Sequence, residues 1–166
     1  MDEIKKNIDV IIPCYNVEET IEDCIKSLSS QSLSKNEYNC YFINDCSRDS
    51  TGTILDKYKS IENISIIHHK ENQGLAKARN NGIKAGNSKM IAFLDGDMVV
   101  KKNWLESFLT YFNENVVAVM GDNTAPQNIY LNPVEKYYFG NLRGARKYKD
   151  GDCLLYTSDA ADEHSW

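Results

Sequence analysis

The sequence has 166 residues, a length that suits one domain rather than two, and 42% of them are hydrophobic, enough to fill a single core. Its formal net charge of -5 supplies no overall basic field to attract nucleic acid or anionic lipid. The five cysteines show no CxxC pair and no metal-ligand spacing, a pattern of reduced thiols in a cytosolic protein.

Apolar runs alternate with segments of helical period. Residues 8–13 read as a buried first strand, whose apolar run Val10-Ile11-Ile12 is too short for a signal peptide or membrane span. A helix follows over 18–28, with Ile21, Ile25 and Leu28 at helical spacing and Asn16 as its cap. Residues 39–44 are a second strand. A helix over 51–58 then places Ile54, Leu55 and Tyr58 on one face. A third strand spans 64–68, and a helix over 75–85 ends at Gly86. Residues 90–94, 104–112 and 116–120 read as strand, helix and strand. Residues 123–152 lack periodicity and carry Pro126 and Pro133; they read as loops with one short helix. The alternation predicts an α/β fold, a mostly parallel sheet with helices on both faces.

Ligands of such sheets bind outside the carboxyl ends of the strands, so the polar residues there carry the chemistry. Four clusters fall at that edge: Pro13-Cys14-Tyr15-Asn16, Asn44-Asp45 with Ser47 to Thr51, Asn72-Gln73-Gly74 with Arg79, and Asp95-Gly96-Asp97. On extended backbone, Asp95 and Asp97 point to one side, and Gly96 leaves room for a ligand near the backbone. Paired carboxylates suit Mg2+ or Mn2+ bound with substrate phosphates; the bland reading is a solvated acidic turn. Asp45 suits a hydrogen bond from a base or ribose, or equally an Asx-turn or helix cap, and Asp49 reads as a cap. Arg79 suits a phosphate clamp or an ion pair with a surface acid. His68 and His69 read as structural, the cysteines as core fillers.

VIIPCYN, NDCSRDST, NQGLAKARNNG and FLDGD, in this order, resemble the family 2 glycosyltransferases of the GT-A fold over about residues 7–122. The resemblance implies a nucleotide-sugar pocket. Pro13, Tyr15 and Asn16 match its lining, Asp45 the acid that contacts the base, and Asn72, Gly74 and Arg79 the segment near ribose and diphosphate. Asp95, beside Gly96, matches the acid bonding the ribose or a metal-bound water, and Asp97 the direct metal ligand. It further implies an inverting, metal-assisted transfer from a nucleotide-diphosphate sugar to a glycan or lipid-linked acceptor. The setting would be cytoplasmic, at the inner membrane face through parts this chain lacks. Two departures stand out: Asn44 replaces an Asp, and Cys46 replaces a Gly, as though this turn needed no left-handed backbone. The catalytic base lies downstream in the family; Glu106, Glu114, Asp122, Glu135, Asp150 and Asp152 follow Asp97 here, and none sits in a telling context.

Residues 153–163 resemble the in-frame translation of a transposon sequencing adapter. They are expected to be foreign, leaving residues 1–152 as the N-terminal, truncated part of a GT-A domain and 153–166 as a non-native tail. The basic, aromatic stretch 137–152 reads either as the start of an acceptor-facing region or as a solvated helix. Two rival functions remain. A sugar nucleotidyltransferase would be expected to show a Gly-rich loop after the first strand, where Cys14-Tyr15-Asn16 stand instead. A non-catalytic nucleotide-binding or scaffold module would not need four polar clusters at one edge.

Overall fold

The computed structural model describes residues 8–111 together with the strands Ala118–Met120 and Arg146–Tyr148. In chain order the elements are β1 (Ile8–Cys14), α1 (Ile21–Ser29), β2 (Tyr38–Asn44), α2 (Thr51–Asp56), β3 (Ile64–His68), α3 (Leu75–Ala85), β4 (Met90–Phe93), α4 (Trp104–Leu109), β5 (Ala118–Met120) and β6 (Arg146–Tyr148). The chain divides into two compact units, Met1–Glu106 and Ser107–Trp166.

The first unit is built on β1, whose seven residues are all buried. It pairs in parallel with β2 on one side and β4 on the other, and β2 pairs in parallel with β3, giving the order β3-β2-β1-β4. The right-handed crossover rule puts α1 and α2, which serve connections running one way along the sheet, on one face. It puts α3, which serves the connection running back, on the other. Contacts agree: Ala78 of α3 packs with Ile11 and Ile43, flanked by Tyr41, Ile67 and Ile83. Strand alternation sends Val10, Ile12 and Phe42 to the opposite face. They are fully buried, as are Ile21, Ile25 and Leu28 of α1 and Leu55 of α2. Each such side chain contributes roughly 1.5–3 kcal/mol relative to exposure.

Polar side chains fasten the edges. Asp9, only 2% exposed, accepts hydrogen bonds from Asn39 Nδ2, Ser88 Oγ and Ser88 N at 2.8 Å each, tying β1 to the turn before β4. Gln31 donates to Ser27 O and Lys101 O and accepts from Leu105 N, fixing the start of α4 against the end of α1.

The expected alternation stands, with corrections at the ends. Asn16 does not cap α1; residues 17–20 form a turn, and the helix starts at Ile21 with Thr20 at its N-cap. Helix α2 stops at Asp56, and Leu94 lies beyond β4. In the second unit, β5 pairs antiparallel with β6, so Arg146–Tyr148 is a strand. A short apolar run such as 116–120 carries no mark of its neighbour's direction. The rest of 123–152, the end of the helix expected to reach 112, and the tail from 153 lie outside the described residues. Among the described residues, no helix is long and apolar enough to cross a membrane.

Helix α3 lies so close to the sheet that a Cβ on Gly82 would stand 2.4 Å from Ile11 Cγ2 and 3.0 Å from Ile43 Cδ1. Gly82→Ala gains about 1 kcal/mol in helix propensity. Overpacking costs roughly 1–3 kcal/mol and more than offsets it. The expected net loss is read as a lower urea midpoint; an equal or higher midpoint would contradict this packing.

Candidate active site at the carboxyl edge of the sheet

Parallel pairing brings the ends of β1, β2, β3 and β4 to one edge. The chain steps outward from β1 to β2 to β3, then returns to place β4 on the far side of β1. The order therefore reverses between β1 and β4, where open α/β sheets carry their ligand crevice. A cleft of about 310 Å3 lies there, lined by Asn16, Val17, Glu18, Glu19, Thr20, Asp49 and Asp97.

One wall is the loop after β1, sewn to the loop after β2. Asn16 N donates to Ser47 Oγ (3.1 Å), Val17 N to Thr51 Oγ1 (2.9 Å) and Glu18 N to Asp49 Oδ2 (3.0 Å). In return Arg48 N donates to Asn16 Oδ1 and Ser50 N to Glu18 Oε2, both at 2.8 Å. Asn16 holds φ 52, a left-handed conformation that Asn tolerates better than most residues. Asp49 is not the N-cap of α2, a position that Ser50 holds; from one residue earlier it accepts from Thr51 N at 3.0 Å in an Asx-type turn. Burial alone would raise its pKa, but hydrogen bonds from Thr51 and Glu18 hold it below the ordinary carboxylate range. Pro13 is buried beneath this wall, and Tyr15 projects from it, 42% exposed.

The opposite wall carries the acidic pair. Met98 N donates to Asp95 O at 3.1 Å, so Asp95, Gly96 and Asp97 form a turn rather than the expected extended segment. A Cβ on Gly96 would meet Cys14 Sγ, Pro13 O and Val17 Cγ2, each at 3.3 Å. The missing side chain thus makes room for the β1 loop, not for a ligand as expected. Beneath the turn, Cys24 is pushed up to about 12, by burial first and then by the charges of Asp97 and Asp95. Both carboxylates therefore act on one point. Cys14 is raised well above an ordinary thiol, by burial and then by Cys24, so both thiols stay protonated and are poor metal ligands.

Asp97 is exposed and makes no hydrogen bond or ion pair among the described residues. The side chain of Asp95, 51% exposed, pairs with Arg79 Nη2 at 3.2 Å, and Arg79 lies over the Phe93 ring at 5.6 Å. The guanidinium is thus stationed at the acidic turn. No group of three or more His, Cys, Asp or Glu gathers as a ready metal cage among the described residues.

Asp45, Asn72 and Gly74 form a neighbouring cluster rather than lining the cleft. Asp45 is 3% exposed and accepts from His69 Nδ1 (2.6 Å), Gln73 N (2.9 Å) and Gly74 N (2.8 Å), while Asn72 Nδ2 donates to its backbone oxygen at 3.3 Å. Burial alone would raise the Asp45 pKa; the bonds from His69, Gln73 and Gly74 outweigh it and hold the carboxyl low. Gly74 takes φ 83, which glycine alone adopts freely. His69 and its neighbour Asn81, 2.9 Å from its Nε2, were not expected here. Their only signal in the sequence is a histidine pair at a strand end. Asn44 is buried and bonds His68 Nδ1 at 2.9 Å and Ser47 N at 3.1 Å, roles that need no charge.

Cys46 holds φ 57, so this turn is left-handed after all. The expectation that its cysteine excluded that backbone was wrong: a single Cβ clash is tolerated where surrounding bonds impose the geometry.

This is an α/β sheet with a crevice at the reversal of its strand order and an acidic turn beside it. The chain matches the family model described as Glycosyl transferase family 2 over residues 9–158, and it belongs to that family. It is 36% identical over 115 residues to the putative teichuronic acid biosynthesis glycosyltransferase TuaG of Bacillus subtilis, covering 69% of this chain and 45% of TuaG. The putative glycosyltransferase EpsH of the same species is 33% identical over 157 residues, covering 95% of this chain and 41% of EpsH. The crystal structure of S. aureus TarS 1–349 in complex with UDP-GlcNAc superposes with a TM-score of 0.65 at 26% identity, covering 76% of this chain and 37% of that one. The chain spans less than half the length of these relatives. Its parallel sheet is that of the GT-A glycosyltransferases, as the motifs implied.

Two predictions follow from the loops. Cys46→Gly relieves a left-handed strain of about 1–2 kcal/mol and, after the entropy of the freer chain, raises stability by about 0.5–1 kcal/mol; a drop in melting temperature would refute the strain. Asp45→Asn loses about 2–3 kcal/mol, because an amide nitrogen then faces N–H donors. The folded pKa of Asp45 lies below its unfolded value, so its contribution is full above the ordinary carboxylate range. The gap between wild type and Asp45→Asn should hold at neutral pH and close as pH falls below about 4. A gap independent of pH would contradict the ionised role.

Proposed function

We propose that this chain is the donor-binding part of an inverting glycosyltransferase that moves a sugar from a nucleotide-diphosphate sugar to an acceptor hydroxyl. The observation that carries this reading is the exposed pair Asp95 and Asp97 at the switch between β1 and β4, with Arg79 stationed beside it. The likeness to TarS with UDP-GlcNAc supports a uridine donor. TuaG supports a cell-envelope glycan, free or lipid-linked, as acceptor.

The donor set fits Mg2+ or Mn2+. Two hard carboxylates, one of them unengaged among the described residues, suit an ion that takes its other ligands from diphosphate and water. Asp97 would hold it directly, Asp95 directly or through water, and the bound ion would neutralise charge on the departing diphosphate. Around it, Arg79 offers N–H donors to phosphate oxygens, exchanging them with Asp95. Pro13, the exposed ring of Tyr15, and Asn16 would line the base side of the pocket, with Gly96 holding the turn against them. Asn72 and Gly74 would meet the ribose and diphosphate, and Asp45, buried behind them, would reach the base only through the lone-pair position that His69, Gln73 and Gly74 leave open. Glu106, the only described acid after Asp97, accepts from Ser32 Oγ at 2.7 Å, and no residue is assigned as the base. On this reading residues 1–152 bind donor without completing transfer, residues 153–166 are non-native, and the whole enzyme works at the cytoplasmic membrane face through parts beyond this chain.

Thermal melts with UDP-, GDP- and TDP-sugars, with and without Mn2+, test the reading. Ligand at about 100 times Kd adds about 2.7 kcal/mol and lifts Tm by roughly 5–10 °C for a chain of this size. One nucleotide should give this lift only with Mn2+, and Asp97→Ala should abolish it. An equal lift in Asp97→Ala would exclude the metal role.

A further inference from the structure

The hydrogen-bonded chain Asn81–His69–Asp45 runs from α3 to the ends of β3 and β2, with half-buried Asn81 at its outer end. The side chain of His69 is 6% exposed and that of Asp45 5%. A carboxylate with a lowered pKa only accepts, so the proton in the 2.6 Å contact belongs to His69 Nδ1. His69 Nε2 then accepts from Asn81 Nδ2 at 2.9 Å. That bond selects the Nδ1–H tautomer, because a ring nitrogen's role is set by what its partner nitrogen meets. The oriented carboxylate in turn receives Gln73 N and Gly74 N, the two amides that lead into α3. Three of its roughly four lone-pair positions are filled, so its orientation is over-determined.

We infer that His69 is a positioning residue. Its Nδ1–H, oriented by Asn81, holds Asp45 and through it sets the Asn72-Gln73-Gly74 segment at the ligand edge. A relation to nucleotide affinity rests on the donor-binding reading; the hold on the two amides does not. Coupling through one part-buried polar network makes the segment's geometry sensitive to a side chain that itself touches no ligand.

Two isosteres separate positioning from bulk. In H69N the amide nitrogen falls near the place of Nδ1 and keeps a donor for Asp45. In H69Q it falls near Nε2 and loses it. The test is amide hydrogen exchange at Gln73 and Gly74 in the full chain, with the affinity for UDP in Mn2+ measured alongside. H69Q should speed exchange at both amides on the order of tenfold or more, as D45N should, while H69N stays within about threefold of wild type. The amide of Ser88, held by Asp9 at the opposite edge, should keep its protection in all variants. UDP affinity should fall in the order wild type, H69N, H69Q. Equal exchange in H69N and H69Q, or a matching rise at Ser88, would overturn the positioning role. The expected exchange pattern with no UDP binding by wild type would leave that role standing and sink the donor-binding reading.

Discussion

Everything at this site depends on β1 being paired in parallel on both sides. Its seven buried residues hold β2 along one edge and β4 along the other, and parallel pairing forces all the strand ends to the same side. The return of β4 past β1 then leaves two loops facing one another with no crossover helix between them. Asp95 and Asp97 stand on one of these loops, Tyr15 and Asn16 on the other. Neither pair has a role apart from that juxtaposition.

The loops themselves are held by side chains bonded to distant backbone. Five bonds join residues 16–18 to residues 47–51, and three converge on Asp45. This is how loops that carry polar chemistry are kept in one shape without apolar burial of their own. Asp97 is the exception, with its carboxylate engaged by no described residue. Arg79, with its side chain 18% exposed, pairs with the half-exposed carboxylate of Asp95; on the proposed reading a phosphate oxygen and a cation would take over these two partners.

The strands and the polar clusters that follow them were legible because apolar runs and their period mark them, whereas the order β3-β2-β1-β4 came only from the fold. The runs around Val10, Phe42 and Ile66 are apolar enough to be read as strands, and whatever follows them must reach the ligand edge. Backbone sign was not legible. Cys46 and Asn16 are left-handed because bonds from elsewhere impose it, and no local pattern records those bonds. Partnerships such as Asp45 with His69, 24 residues apart, have no periodicity to betray them. Gly96 was read as space for a ligand, yet the space is taken by Cys14, Pro13 and Val17, which only the folded loop brings near. The direction of β5 was hidden for the same reason, its partner β6 lying far along the chain.

The central claim is that the crevice between β1 and β4 holds a divalent ion together with a nucleoside diphosphate. Paramagnetic broadening by Mn2+ in the presence of UDP maps that ion directly on the chain. The account predicts that amide signals of residues 15–20 and 95–98 are lost together, while those of Asp9 and Ser88 at the far edge persist. Broadening centred on any other acidic surface, or unchanged by UDP, would contradict it.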